Sequence, residues 1–298
     1  MKKVLPLLVI AALALSLTAC GSSSPENRAD DLPSDVVSFA APSDSPEKGE
    51  GAQIEASVLW DEAGVKITAE SLDTDSLFGP ELKLLFENDS GRDLTFQCYN
   101  ASVNGYMVET LMSVDVANGK KANDSLTFLS VDLDRCGIEA IADMEFSLLA
   151  FDAESWDAYL DTPPIRLKTS LADTYSYTYD DSGEVVYNEN GIKVVFKGLV
   201  DESDTIIGPG IKVYLENNSS QDISIQAWDV SVNGHMAYAL FSPDVPVGKR
   251  AVSNIAFFAS DLEKNGITDI ETVELSFHIF DLGTFETILD TDAITLTF

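Results

Sequence analysis

The sequence predicts an all-β protein, with two tandem antiparallel β-sandwich domains that follow a signal peptide and a disordered tether. Three observations support this fold class. The chain contains a long internal repeat, each copy alternates apolar and polar residues, and turn-forming residues separate the alternating segments. Successive side chains of a β-strand point to opposite faces, so a strand with one buried face shows this alternation.

The internal repeat covers most of the chain. GPELKLLFENDSGRDLTFQCYNASVNGYM begins at Gly79 and GPGIKVYLENNSSQDISIQAWDVSVNGHM begins at Gly208. At this offset of 129, about 35 of 91 ungapped positions are identical, and upstream the offset is 127. A period of about 130 residues is that of a domain and not of a solenoid unit. We place repeat 1 at 52–169, a Tyr-rich linker at 170–182 and repeat 2 at 183–298.

Alternating segments match between the copies and predict paired strands. Turn residues at suitable spacing give about seven or eight strands per repeat, which is typical of an antiparallel sandwich. The predicted inward residues are Leu82, Leu84 and Phe86 with Ile211, Val213 and Leu215; Leu94, Phe96 and Cys98 with Ile223, Ile225 and Ala227; Met144, Phe146, Leu148 and Ala150 with Val273, Leu275, Phe277 and Ile279; and Ile165 and Leu167 with Ile294 and Leu296.

Turn residues predict where these strands reverse. Asn104-Gly105 and Asn233-Gly234 favour a type I′ hairpin, because both residue types tolerate positive φ. A short helix or turn is expected at 131–135 and at 260–264, each closed by a glycine, Gly137 or Gly266.

The amino terminus resembles that of a bacterial lipoprotein. Lys2 and Lys3 precede an apolar run over 4–17, which is shorter than the roughly 20 residues of a spanning helix and so indicates a secretion signal. The run ends in Leu-Thr-Ala-Cys, which resembles a lipobox. The resemblance implies cleavage of a signal peptide at 1–19 and a diacylglyceryl group on Cys20, which would anchor the chain in the membrane. The alternative is an ordinary signal peptide with a chance cysteine.

The amino-acid composition limits the classes of partner that the chain is expected to bind. Residues 20–51 are rich in Ser, Pro, Asp and Glu and are expected to form a disordered tether. The chain has 18 basic and 50 acidic residues. Removal of the two leader lysines leaves 16 against 50, a net charge of −34. This charge argues against nucleic acid, whose binding requires Lys and Arg, and against electrostatic adhesion to anionic lipid.

Several motifs recur in both repeats: ENDS at 87–90 with ENNS at 216–219, the SVNG hairpins, and a Gly-Lys pair before a strand. The pattern resembles the immunoglobulin-like (telokin-like) domains of uncharacterised Gram-positive surface lipoproteins. The resemblance implies a fold and an extracytoplasmic, membrane-anchored location, and it implies no activity. The Cys…Trp…Cys spacing of antibody domains is absent from the sequence.

Cys98 and Cys136 occur only in repeat 1, where repeat 2 has Ala227 and Asn265. Two interpretations stay open at this stage. The pair forms a disulfide, which an exported compartment permits, or Cys98 is a small buried apolar residue and Cys136 a loop thiol.

The sequence shows little that would support catalysis or metal binding. His235 and His278 are not at ligand spacing, and no nucleophile, phosphate-loop or zinc motif is present. The acidic groups are Asp73 with Asp75, Asp201 with Glu202 and Asp204, Asp152 with Asp161 around Trp156, Asp281 with Asp290 around Phe285, and Asp180 with Asp181. Calcium in these loops is an alternative to the favoured interpretation, which is solvated carboxylates. We expect no cofactor.

Aromatic residues suggest a binding surface. The linker has tyrosines at every second position, Tyr175, Tyr177 and Tyr179, which would share one face of an extended strand. They are expected either to bind a partner or to pack against an adjacent domain. Trp60, Trp156 and Trp228 align with aromatic residues of the other copy and are expected to pack.

These observations favour a non-catalytic, lipid-anchored envelope protein whose two domains bind a protein or an envelope polymer. The alternatives are a small-ligand or glycan sensor that serves a transporter or wall-assembly system, and a wall-polymer hydrolase with paired carboxylates.

Overall fold

The structure is a computed structural model that describes residues 51–200 and 207–298. The predicted signal peptide at 1–19, the lipidation site Cys20, nearly all of the tether at 20–51 and the acidic group at 201–204 lie outside the described residues. Lys48–Phe298 form one compact unit that contains both repeats.

Repeat 1 contains eleven strands and one helix. Their bounds are β1 Ser57–Glu62, β2 Val65–Asp73, β3 Glu81–Asn88, β4 Leu94–Val103, β5 Tyr106–Met107, β6 Thr110–Leu111, β7 Ser113–Val116, β8 Lys120–Phe128, α1 Ser130–Arg135, β9 Asp143–Asp152, β10 Ala158–Asp161 and β11 Ile165–Lys168.

Repeat 2 has the same order of elements. Their bounds are β12 Glu184–Glu189, β13 Ile192–Val200, β14 Gly210–Asn217, β15 Ile223–Val232, β16 His235–Met236, β17 Ala239–Leu240, β18 Asp244–Val245, β19 Arg250–Phe257, α2 Ala259–Lys264, β20 Thr272–Asp281, β21 Thr287–Asp290 and β22 Ile294–Thr297. The predicted seven or eight strands per repeat is too low, because the segment after each Asn-Gly hairpin is divided into pieces of two to four residues.

The all-β prediction is confirmed. In repeat 1 one sheet has the order β1-β2-β3-β8-β6, and the other contains β10, β9, β4 and β5, with β11 on β9 and β7 on β4. In repeat 2 one sheet contains β12, β13, β14, β19 and β17, and the other β16, β15, β20 and β21, with β18 on β15 and β22 on β20. Among the described residues every strand pair is antiparallel except β5 with β19.

Each repeat encloses its own apolar core between its two sheets. The inward residues predicted from β3, β9, β14 and β20 are all at most 1% exposed. Cys98 and Ala227, at the ends of their predicted runs, are only partly buried against the same cores. Burying a large aliphatic or aromatic side chain contributes roughly 1.5–3 kcal/mol, so these strands supply most of the stability of each sandwich.

The turn predictions are confirmed. Asn104 and Gly105 have φ of 50° and 81°, and Asn233 and Gly234 have φ of 49° and 79°. The asparagine side chain also anchors the next loop, since Asn104 Oδ1 accepts from Ala142 N at 2.8 Å and Asn233 Oδ1 accepts from Thr272 N at 2.9 Å. The helices begin one residue earlier than predicted, and Gly137 and Gly266 close them with φ near 68° and 67°.

The ENDS and ENNS motifs each contain a buried asparagine that joins two loops. Asn88 Nδ2 donates to Arg92 O and Val116 O, and its Oδ1 accepts from Ser90 N. Asn217 makes the same three bonds with Gln221, Val245 and Ser219. Because a buried amide is costly unless it is hydrogen-bonded, this geometry explains why asparagine stands at both positions.

An apolar contact joins the repeats. Tyr106 of repeat 1 packs against Val195, Tyr214 and Val252 of repeat 2, and all four side chains are buried. We call these four residues the interdomain cluster. Beside them Arg250 N donates to Gly105 O at 3.0 Å, which makes β5 and β19 neighbours in one eleven-stranded sheet.

Polar contacts surround the interdomain cluster. The guanidinium of Arg250 lies 3.6 Å from the ring centre of Tyr179 and donates to Glu216 Oε1 at 2.8 Å. Lys249 pairs with Glu145 of repeat 1 at 3.0 Å. These side chains are mostly buried, so the pairs are better shielded from water than ordinary surface ion pairs.

The β13–β14–β19 face of repeat 2, on which Tyr106 packs, differs in residue type from the matching β2–β3–β8 face of repeat 1. Val195, Tyr214 and Val252 are cross-strand neighbours on β13, β14 and β19. The same row in repeat 1 is Thr68, Leu85 and Asn123 on β2, β3 and β8. The residues on this row are more apolar in the repeat whose face is covered.

Val252→Asn places the residue of the uncovered face into the interdomain cluster. It should lower the free energy of unfolding by about 2.5–4.5 kcal/mol, because about 1.5 kcal/mol of apolar burial is lost and a buried amide without partners costs about 1–3 kcal/mol. Urea unfolding of the fragment Lys48–Phe298 measures the change. The matched control Asn123→Val changes an exposed position, and an equal loss of stability there would contradict the assignment.

Candidate binding surface

Alternation along the central strands places aromatic side chains on the outer face of one sheet in each repeat. Phe96 and Phe146 point into the core of repeat 1, so Tyr99 and Phe151 project from the opposite face. Trp228 and Phe280 hold the corresponding positions of repeat 2. We call the following residues the outer aromatic surface: Tyr99, Phe151 and Trp156 in repeat 1, and Trp228, His278, Phe280 and Phe285 in repeat 2.

In repeat 2 the indole of Trp228 is held in a fixed orientation. The imidazole of His278 stacks against it, with ring centres 3.9 Å apart and planes at 9°. Gln226 Oε1 accepts the indole N–H at 3.2 Å, and Asp290 Oδ1 lies 2.6 Å from His278 Nδ1. Trp228 remains 46% exposed, so one aromatic face is preorganised and open to solvent.

In repeat 1 a phenol replaces the indole. The hydroxyl of Tyr99 donates to Asp161, the position that corresponds to Asp290. Burial, and then the Asp161 carboxylate, raise the pKa of Tyr99 to about 12. Leu149 stands at the position of His278. The two repeats therefore share one arrangement and present different chemistry.

The tips of the β9–β10 and β20–β21 hairpins each display a further aromatic residue. Trp156 is 73% exposed and Phe285 is 61% exposed. Trp156 stacks on Phe151 with ring centres 5.1 Å apart, and Phe285 lies 6.3 Å from Phe280.

Both tip residues have an unfavourable backbone conformation. Trp156 has φ of 61° and Phe285 has φ of 59°, in the left-handed region that costs a residue with a Cβ roughly 1–2 kcal/mol. Glycine would adopt this conformation without that cost. Bulky residues in strained conformations concentrate at functional sites.

Aspartates hold the strained tips in place. Asp152 Oδ1 accepts from Glu154 N and Ser155 N at 3.0 Å each. Asp281 Oδ1 accepts from Gly283 N and Thr284 N at 2.9 and 2.8 Å. These backbone donors lower the pKa of both carboxyl groups. Two of the acidic residues considered as calcium ligands thus shape the hairpins that carry Trp156 and Phe285.

Of the three tryptophans expected to pack, Trp60 lies against the core of repeat 1. Trp156 and Trp228 remain 73% and 46% exposed, and each stacks on one ring of the outer face, Phe151 or His278. The alternation that points Ala227 inward already required Trp228 to point outward. For Trp156 the clue was its position in a tight hairpin that favours glycine.

The linker tyrosines pack at the junction of the repeats. Tyr179 contacts Tyr106 with ring centres 5.3 Å apart, lies under Arg250, and donates to Asn104 O at 3.2 Å. Tyr177 lies between Tyr175 and Tyr179, at 6.0 and 5.4 Å. The tyrosines were expected either to bind a partner or to pack against an adjacent domain, and Tyr179 packs against repeat 1. All three rings are only partly buried, and a role of this stripe in binding stays a prediction.

Cys98 and Cys136 are free thiols in the structure, so the disulfide that the sequence left open is not formed. The physical reason is their placement. Cys98 packs against the core of repeat 1, whereas Cys136 packs against the interdomain cluster.

The remaining candidates do not converge on one site. Across 51–200 and 207–298 no group of three His, Cys, Asp or Glu side chains is arranged to hold a metal ion. Asp180 and Asp181 pair with Lys197 and Lys193, and His235 is exposed at its hairpin. Burial raises the pKa of Glu109 and of Asp244, and the Asp132 and then the Asp244 carboxylate add to the shift of Glu109.

Comparisons with known proteins add little. No protein-family model and no curated protein matches the chain. Among solved structures, the crystal structure of the YadV chaperone is similar at 11% identity with a TM-score of 0.24, over 79% of this chain and 100% of that chain. A TM-score this low supports no inference about the fold or the function of this chain. No helix among the described residues has the length and hydropathy to span a membrane.

Both thiols should resist alkylation while the protein is folded. Burial raises the pKa of Cys98 to about 11 and that of Cys136 to about 12, and Asp132 adds to the second shift, so the reactive thiolate is scarce at pH 8. Mass spectrometry of Lys48–Phe298 treated with iodoacetamide at pH 8 should show both thiols unmodified, and both labelled after denaturation in urea. Rapid labelling of the native protein would contradict this placement.

Proposed function

We propose that this chain is a non-catalytic, lipid-anchored protein of the cell envelope that binds a protein or an envelope polymer through its two β-sandwich domains. The observation that carries the proposal is the outer aromatic surface, in which Tyr99 and Trp228, and likewise Trp156 and Phe285, are exposed at corresponding positions of the two repeats. The last two have strained backbone conformations. Exposed aromatic groups that are held rigidly lose little conformational entropy on binding and often dominate interface energies.

The stability of the fold does not account for these aromatic residues. Trp156 and Phe285 stand outside the apolar cores, and strain opposes their conformation. A polar side chain or glycine would serve the hairpin equally well, so a role in contact with a partner explains their presence better than packing does.

Two depressions in the described part of the chain differ from the aromatic-lined pocket expected of a small-ligand sensor. They are lined by Gln53, Ile54, Glu55, Ser57 and 167–170, and by 91–93 and 152–154. Neither lining contains an aromatic side chain. Exposed aromatic side chains outside a cavity suit a protein or polymer better than they suit a small molecule.

The location belongs to the same proposal. The lipobox-like sequence at 17–20 and the Ser- and Pro-rich segment that follows support a lipid on Cys20 and a tether beyond it. Such a tether would leave the outer aromatic surface free to meet material near the membrane.

Trp156→Gly and Phe285→Gly should each weaken binding with little effect on stability. Relief of strain gains roughly 1–2 kcal/mol, and loss of the aromatic contact costs roughly 0.5–1.5 kcal/mol, so the unfolding midpoint should barely move. Each truncated contact should cost the complex about 2 kcal/mol, or about 30-fold in affinity. Retention of partners from the native envelope by immobilised Lys48–Phe298, wild type against both variants, measures the loss.

Leu77→Ser is the matched control, because Leu77 is an exposed apolar residue outside the surface. It should retain partners as the wild type does. The proposal is wrong if the two glycine variants and Trp228→Ser retain the same partners as the control.

A further inference from the structure

The sheet of repeat 2 that carries the outer aromatic surface has no basic side chain in its strands. We call this sheet, which contains β15, β16, β18, β20, β21 and β22, the open sheet. The basic residues of repeat 2 lie on β13, β14 and α2 or at the start of β19: Lys193, Lys197, Lys212, Lys249, Arg250 and Lys264. Exposed carboxylates are present on the open sheet at Asp229, Glu274 and Asp290. The charge of this sheet is therefore of one sign.

The matching sheet of repeat 1 does contain cations. The residues that correspond between the repeats are Arg92 with Gln221, Arg166 with Thr295, and Lys168 with Thr297. The acidic partners of the two arginines are Glu145 and Asp152, and both have acidic counterparts, Glu274 and Asp281. Repeat 2 thus has the carboxylates of this sheet without the cations that pair with them in repeat 1.

Trp228 lies between two of the exposed carboxylates. Its cross-strand neighbour is Ser276, which shares the outer face of β20 with Glu274 on one side and His278 on the other. Asp290 stands opposite His278 on the next strand. The indole therefore has Glu274 on one side and, beyond the imidazole, Asp290 on the other.

One face of the indole of Trp228 is available to a ligand. The imidazole of His278 covers the other face, with ring centres 3.9 Å apart. The side chain of His278 is 13% exposed, whereas Trp228 is 46% exposed, so the imidazole lies beneath the indole. The face of an aromatic ring carries a partial negative charge, which attracts a cation, and tryptophan attracts cations most strongly.

The same molecule places guanidinium groups on aromatic rings elsewhere. Arg250 lies 3.6 Å from the ring centre of Tyr179 and pairs with Glu216 at 2.8 Å. Arg92 lies 5.6 Å from the ring centre of Tyr159. The open sheet has the aromatic face and the carboxylates of such an arrangement, and its strands contain no residue that could supply the guanidinium.

We propose that the open sheet binds an arginine-rich segment of a partner protein, with one guanidinium stacked on Trp228 and others paired with Glu274 and Asp290. This inference rests on the proposed function and names the class of partner, a basic protein segment. A planar guanidinium can stack on an indole and donate to a carboxylate at the same time, which an ammonium group does less well. The net charge of −32 attracts such a segment from a distance.

Fluorescence anisotropy of labelled hexa-arginine, titrated with Lys48–Phe298, tests the proposal. The wild type should bind, and the affinity should fall as salt is added. Trp228→Ser, and separately Glu274→Gln combined with Asp290→Asn, should each weaken binding about fivefold. The amide introduced by Asp290→Asn can still accept from His278, so the support of the indole is kept.

Glu62→Gln combined with Glu70→Gln is the matched control. It removes the same two charges from exposed positions on the other sheet of repeat 1. Its affinity should stay within about twofold of the wild type, because distant exposed charges are screened. Hexa-lysine should bind the wild type more weakly than hexa-arginine does. Equal losses in the two double variants, or equal affinities for the two peptides, would overturn the proposal.

The retention of native partners reports on the proposed function separately. Partners that Trp228→Ser releases should also be released by Glu274→Gln combined with Asp290→Asn. If that double variant and high salt leave those partners bound, this inference is overturned and the proposed function stands.

Discussion

The contact of Tyr106 with Val195, Tyr214 and Val252 determines how the described part of the chain is organised. Without it the two sandwiches would be separate bodies on a linker. With it they share an eleven-stranded sheet and form one compact unit. Gly105 is required there, because a Cβ at this residue would lie 2.8 Å from the hydroxyl of Tyr179, and because its φ is 81°. Because the Asn104-Gly105 hairpin lies close to the linker, the guanidinium of Arg250 stacks over the ring of Tyr179 at the edge of the interdomain cluster.

The contact gives the outer aromatic surface its arrangement. It covers the β13–β14–β19 face of repeat 2 and leaves the β15–β20 face open, so Trp228 and Phe285 remain accessible. Tyr99 and Trp156 are open on repeat 1. Two surfaces on one rigid body engage a repeating partner with a higher effective concentration than two surfaces on a flexible chain.

Much of the fold could be predicted from the sequence, because alternation and turn chemistry act locally. Leu82, Leu84 and Phe86 are buried as expected, and Asn104-Gly105 turns as expected.

The interdomain cluster could not be predicted in the same way, since it depends on which outer face another element covers. The sequence does differ between the repeats at this contact: Thr68 and Asn123 of repeat 1 correspond to Val195 and Val252 of repeat 2. The outer aromatic surface could not be predicted from the alignment of Trp228 with Tyr99, because an aromatic residue at both positions is equally compatible with packing and with exposure.

The shared sheet and the interdomain cluster should hold the two repeats, and with them the two parts of the outer aromatic surface, in a fixed relation. The most direct test is a spin-label distance measurement on Lys48–Phe298 between Glu154→Cys and Glu286→Cys, with the native thiols removed by Cys98→Ala and Cys136→Asn. Both label positions are exposed and lie beside the strained aromatic residues. The account predicts a single narrow distance distribution, and a broad distribution typical of domains on a flexible linker would contradict it.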